Sequence, residues 1–231
     1  MFTQCVAEDP DRSRKILEQL CQTYWKPVYA YIRRSGRGPE DGEDLTQAFF
    51  AHLLENGTFL RIDRSKGRFR SFLLTACSNF LKNDWRRRTS WKRGGGIIPL
   101  SLEGLSEDGF QDKEPADTLS PDQLFDRHWA LALIDTAVDH LRREYEKADK
   151  ARLFKHLRPY LLEDGMPVGE AAAELGMTEG SVKVTVHRLR RKLGHLLRGE
   201  ISRTVESPEE IETELRHLID ALRTTRDRPI L

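Results

Sequence analysis

Cationic side chains that could hold phosphate are packed into two stretches of this chain. Residues 64–93 carry ten Lys or Arg against one acid, Asp84, and end in Lys82, Arg86, Arg87, Arg88, Lys92 and Arg93. Residues 178–203 carry seven Lys or Arg against two acids. Acids are blocked elsewhere: five in residues 40–55 with no Lys or Arg, and eight in residues 103–126 against the single base Lys113. The net charge is only +1, so the total would not betray a nucleic-acid partner. The segregation does: it predicts two separate anion-binding surfaces with acidic segments between them.

Other chemistry is harder to find. There is no phosphate-cradling glycine loop, no nucleophile–base pair and no His/Cys/Asp cluster at metal spacing. His52, His128, His140, His156, His187, His195 and His217 are dispersed, and Asp41, Glu43 and Asp44 mostly point apart on one helix. No catalytic residue, metal or cofactor is therefore expected. Cys5, Cys21 and Cys77 are isolated and odd in number, which fits small apolar packing in a reducing cytoplasm. No apolar run approaches the roughly 20 residues of a membrane span, and no signal peptide opens the sequence.

The second basic stretch sits in a helical hairpin, residues 165–198. Val168, Ala171, Ala172 and Leu175 give a short helix one apolar face, and Gly176 supplies a turn. Thr178 is the expected cap of the next helix, with Ser181 as a rival. Val182, Val186, Leu189, Leu193 and Leu196 recur at helical spacing. Lys183, His187, Arg188, Arg190, Arg191 and Lys192 are left outward. A basic helix held by a short turn against a smaller one has the shape that enters a major groove.

The other elements also read as helices. Ile16, Leu17, Leu20 and Tyr24 mark a first helix, broken at Trp25-Lys26-Pro27. Val28, Tyr29 and Ile32 begin a second that ends near Gly36 and Gly38. Pro39 starts a third, with Leu45, Phe49 and Leu53 inside and Asp41, Asp44, Gln47 and Ala51 on the other side. From about Arg68 to Arg88, Phe69, Phe72, Leu73, Ala76, Phe80 and Leu81 form the inner face of a fourth. The expected organisation is all-α: residues 1–93, an acidic linker over 94–120 read as flexible, a helix-turn-helix domain over 121–203, and an acidic amphipathic tail over 204–231. The tail's stripe of Ile211, Leu215, Leu218, Ile219 and Leu222 must dock, on its own second domain or on a partner protein.

In this order the motifs resemble bacterial RNA polymerase sigma factors of the extracytoplasmic-function type. Residues 41–54, DGEDLTQAFFAHLL, resemble that family's acidic helix. Gly67 through Asn79, with Arg86-Arg87-Arg88, is similar to its promoter-melting helix. Gly180-Ser181-Val182-Lys183 and His187-Arg188-Leu189-Arg190 are similar to its second DNA-binding domain. Two positions depart from the pattern: Ala48 where an acid is usual, and Asn83, followed by Asp84, where an aspartate is usual.

The resemblance implies that core RNA polymerase is bound through Asp41, Asp44, Gln47 and Ala51. It implies capture of an unstacked minus-ten base by the loop over 56–67 and the melting helix. Asn79 and Asn83 would face base edges, while Arg68, Arg70, Lys82, Arg86, Arg87 and Arg88 meet phosphates. Trp85 is either a stacking residue or core. The minus-thirty-five duplex would be read by Ser181, Lys183, Thr185, His187, Arg188 and Arg191. The acids of 103–126 would lie along the polymerase in place of nucleic acid, and an anti-sigma or other regulatory protein is a further partner that the resemblance allows. A stand-alone helix-turn-helix regulator is the alternative; it would leave the acidic helix and the melting helix without a task.

Overall fold

A computed structural model describes residues 10–55, 68–92, 119–162 and 167–223. The loop over 56–67 and nearly all of the expected linker therefore lie outside the described residues. Those described form helices α1 (Pro10–Arg34), α2 (Pro39–Glu55), α3 (Phe69–Lys92), α4 (Pro121–Lys147), α5 (Ala151–Leu157), α6 (Gly169–Leu175), α7 (Glu179–Ser202) and α8 (Pro208–Arg223), with a 3-10 turn at Arg158–Leu161.

The expected break at Pro27 is overturned: α1 runs through it as one helix of 25 residues. An interior proline removes one N–H and costs about 3 kcal/mol. Burial on both sides outweighs that. Tyr24, Val28 and Ile32 are each at most 1% exposed, and α1 makes its largest packing contact with α4. The helix ends at Arg34, close to where Gly36 and Gly38 predict it, and Gly36 just beyond has a φ of 87° that suits glycine.

α2 and α3 complete the first group. Phe49 meets Phe80 edge-on at 5.6 Å, and Trp25 stacks on Phe50 at 5.8 Å. Phe69, Leu73, Phe80 and Leu81 are buried as expected, and Cys77, which the pattern did not single out, joins them at 0% exposure. Burial pushes the Cys77 thiol up to about 12. We expect it to stay unalkylated at pH 8 in the folded chain and to react fully in urea, as read by mass spectrometry, because only the thiolate is nucleophilic.

α4 begins at a capping box. Ser120 Oγ accepts from Gln123 N, Gln123 Oε1 accepts from Ser120 N, and Pro121 takes the first helical position. In the hairpin, Gly176 has φ 63° and ψ 34°. Thr178, not Ser181, is the cap: its Oγ1 accepts from Ser181 N at 3.2 Å. The buried row of α7 is Val182, Val186, Leu189, Leu193, Leu197 and Ile201, so Leu197 replaces the expected Leu196. Nothing lies within 4 Å of a Cβ placed on Gly176. Gly176→Ala should therefore cost about 1–2 kcal/mol through backbone strain alone, seen as a lower denaturation midpoint with an unchanged slope.

The two helical groups pack against each other through a continuous core. Tyr31 meets Phe125 edge-on at 6.5 Å, Arg34 Nε donates to Leu119 O at 3.0 Å, and Phe69 N donates to Thr204 O at 3.1 Å. At this seam the Tyr24 hydroxyl and the Trp129 indole N–H are buried side by side without a well-directed hydrogen bond. α8 lies on α4 and α7, as expected for docking on its own second domain, and it also reaches α3.

Candidate nucleic-acid interface

α3 presents one basic surface. Its apolar row faces α1 and α2, so Asn79, Lys82, Asn83, Arg86, Arg87 and Arg88 are left exposed on the outer side. Trp85 is 56% exposed, which overturns the expectation that it is core. Asp84 organises the end of this surface. Its Oδ2 takes Arg88 Nε at 2.9 Å and lies 3.7 Å from Arg37 Nη2, while Arg88 Nη1 is 3.7 Å from Asp41 Oδ1. The acid that follows Asn83 thus ties α3 to the end of α1, and Arg88 reaches on to the start of α2.

Arg68 and Arg70, at the other end of α3, do not share that outer surface. Arg70 is 7% exposed and turned inward. Its Nη1 is 2.5 Å from Asp126 Oδ1 and its Nε donates to Glu214 Oε2 at 3.1 Å. The guanidinium carbon lies 5.3 Å from the centre of the Trp129 ring. Burial alone would lower the guanidinium's hold on its proton, but Glu214 and Asp126 outweigh it and raise the affinity above the ordinary value. Arg68 Nη1 reaches Glu214 Oε1 at 2.8 Å. Asp126 Oδ2 also takes His217 Nε2 at 2.7 Å. The cluster brings α3, α4 and α8 together.

Sequence reasoning missed Glu214, Asp126 and His217. For Glu214 a signal existed: it falls between Ile211, Leu215 and Leu218, on the apolar face of α8, yet it is 1% exposed. A carboxylate on a buried stripe must have a cationic partner.

The second basic surface is the outer face of α7. Ser181, Lys183, His187, Arg188 and Arg191 are exposed and Thr185 is half-buried. The Thr185 hydroxyl donates to Ser181 O at 2.8 Å, as a helical threonine does when no other partner is near. Lys183 Nζ is 3.8 Å from Glu179, both exposed, a contact worth little. Val184, which was not singled out, is 52% exposed among these polar groups. Arg190 departs from the expected outward basic face, whereas Lys192 is exposed on it as expected. Arg190 Nε donates to Tyr160 O at 2.9 Å and so ties α7 to the 3-10 turn, while Lys192 pairs with Glu144 between two exposed side chains, a contact worth little.

α2 offers a third, acidic surface. Asp41, Asp44, Gln47 and Ala51 are all exposed, opposite the buried Leu45, Thr46, Phe49, Phe50 and Leu53. Gly42 lets α2 approach α1 closely: a Cβ there would stand 2.8 Å from Arg33 Cδ and 3.2 Å from the Tyr29 ring. Among the described residues, no group of three or more His, Cys, Asp or Glu could hold a metal ion. No described helix is long and apolar enough to cross a membrane.

Comparison with known proteins agrees with this layout. The family description "Sigma-70 region 2" matches residues 20–90, and "Sigma-70, region 4" matches residues 159–193. The chain is 27% identical over 197 residues to a protein of Mycolicibacterium smegmatis described as ECF RNA polymerase sigma factor SigE. That alignment covers 82% of this chain and 65% of the relative, so the chain spans just under two-thirds of the relative's length. No solved structure matches the chain significantly.

Proposed function

We infer that this chain, which belongs to the sigma-70 family and resembles its extracytoplasmic-function members, binds core RNA polymerase in the cytoplasm and directs it to promoters. α2 docks on the polymerase through Asp41, Asp44, Gln47 and Ala51, where charge steers association more than it adds affinity. α3 holds the melted minus-ten strand: Asn79 and Asn83 face base edges, and Lys82, Arg86, Arg87 and Arg88 meet phosphates, with Arg68 and Arg70 joining them once freed from Glu214. Trp85 has the exposure to stack on an unpaired base, worth about 1–3 kcal/mol. α7 enters the major groove of the minus-thirty-five element with Ser181, Lys183, Thr185, His187, Arg188 and Arg191. Residues 1–93, 94–120, 121–203 and 204–231 are then the polymerase and minus-ten domain, the linker, the minus-thirty-five domain and the tail. An anti-sigma or other regulatory protein is a further partner in this reading, and the chain carries out no catalytic step of its own.

The observation that carries the reading is the presence, on one chain, of an exposed acidic face on α2 and exposed basic faces on α3 and α7. A stand-alone regulator needs only the last of them. The test is reconstitution of the purified chain with core polymerase, followed by run-off transcription on genomic fragments. The expected result is co-elution and new, discrete start sites. A chain that binds a duplex operator tightly and ignores the polymerase sinks the reading.

A further inference from the structure

We infer that α8 is an intramolecular latch, which holds the chain closed by placing Glu214 on Arg68 and Arg70 and must release them before promoter DNA is bound. The proposal rests on the sigma-factor reading above and goes beyond it by assigning the tail a regulatory task.

The first argument is one of competition. Both arginines lie at the start of the helix read as the minus-ten contact, and both are engaged by one carboxylate that is 1% exposed. Asp126 of α4 neutralises Arg70 from the other side. Arg68, just before α3, and Arg70, in its first turn, are thus matched by acids from α4 and α8. A phosphate can reach them only after those carboxylates leave. Buried ion pairs add little net stability over apolar packing, but taking one partner away leaves the other charge buried and uncompensated, so the closed form depends on Glu214 staying in place.

The second argument is one of length. A compact body of the size of the described residues 10–55, 68–92, 119–162 and 167–223 has a radius of gyration of about 16 Å, or is about 40 Å across. Elements centred near minus 10 and minus 35 lie about 25 base pairs apart, roughly 85 Å along B-form DNA at about 3.4 Å per step. In the closed form, α1 lies on α4 and the Phe69 N–H is bonded to Thr204 O. This packed body is too small to occupy both elements at once. α8 grips the groups on both sides of the seam: it packs on α4 and α7, while Glu214 holds α3.

The test uses the full chain. Hydrogen exchange is followed over residues 208–223 in the free protein and in its complex with core polymerase. Protection in the free chain and faster exchange in the complex is the expected result. In parallel, Glu214→Gln keeps the side-chain volume and removes the carboxylate shared by Arg68 and Arg70, leaving Arg70 paired with Asp126 alone. The variant should shift the closed–open balance and raise the affinity of the free chain for promoter DNA by about tenfold, the effect of one charge-assisted bond. Helicity measured by circular dichroism checks that the variant is folded. Equal protection of α8 in the free chain and in a transcriptionally active complex overturns the latch, as does a folded Glu214→Gln that binds DNA no better than the parent. Exchange in the parent chain decides the matter should the variant fail to fold. Failure of the parent chain to bind polymerase or support transcription strikes the sigma-factor reading instead, so the two are told apart.

Discussion

Arg70→Ala should destabilise the packed chain by about 3–5 kcal/mol, the range for breaking a buried ion pair from one side. The reason is what it leaves behind. Glu214 is 1% exposed, and Asp126 keeps only 16% of its side chain in water. Both carboxylates would lose the guanidinium that neutralises them. Arg68 still reaches Glu214 Oε1 at 2.8 Å, so part of the charge stays matched. The contact of the guanidinium with the Trp129 ring, at 5.3 Å, adds about 1 kcal/mol to the loss. The measurement is urea denaturation of the parent and the variant. A triple variant separates charge from shape: Arg70→Met with Glu214→Leu and Asp126→Leu replaces the ions by apolar groups of similar size, and should recover most of the loss. Equal stability of Arg70→Ala and the parent would mean that the cluster is not neutralised through Arg70 at all.

Replacing Arg86, Arg87 and Arg88 together by Ala should do the opposite: little to stability and much to binding. All three are exposed, and exposed positions cost within about 0.5 kcal/mol each. The pairing of Arg88 with Asp84 and Asp41 leaves Arg88 46% exposed and is worth at most about 1 kcal/mol. Affinity for a promoter fragment, measured with the polymerase complex, should fall about hundredfold near 0.1 M salt. The log–log salt slope should flatten by about 2 to 3, one counterion for each lost phosphate contact. A drop in affinity with an unchanged slope would assign these arginines to something other than phosphates. Residues of one type on one helix thus carry different tasks, and exposure sorts Arg86, Arg87 and Arg88 from Arg70.

Much of the fold was legible because local chemistry decides it. The Gly176 turn, the Pro121 start and the end of α1 just before Gly36 each follow from backbone preferences that act over a few residues. The core faces of α2, α3 and α7 follow from helical spacing. The choice between Thr178 and Ser181 as cap needed coordinates, since both side chains have the required oxygen; the structure has the Ser181 hydroxyl taking a bond from Thr178 Oγ1 at 2.9 Å. Pro27 misled because a local penalty of about 3 kcal/mol was outweighed by burial against α4, which lies some hundred residues away in the chain. The inward turn of Arg70 was hidden for the same reason: its partner Glu214 is 144 residues away. Arg190 was expected only on the outward basic face, and its bond to Tyr160 O was hidden because spacing reveals which way a side chain leaves its helix, not what stands opposite. Exposed faces of α2 and α3 were readable; which cations were already paired was not.

The seam between α1 and α4 has a consequence for how strongly the chain must hold itself shut. Tyr24 and Trp129 bury polar groups there without good partners, and each such group costs about 1–3 kcal/mol. That cost is set against the apolar burial of the same seam, where Tyr24, Phe125 and Trp129 are at most 1% exposed. These two faces cannot diffuse away, because residues 93–118 join α3 to Leu119, whose carbonyl is held by Arg34 at the edge of the seam. A covalent tether keeps each face at an effective concentration of about millimolar as seen by the other. An interface tighter than about millimolar is then enough to make the closed form the more populated one. A partner that binds either face more tightly than that can displace it without unfolding either group of helices.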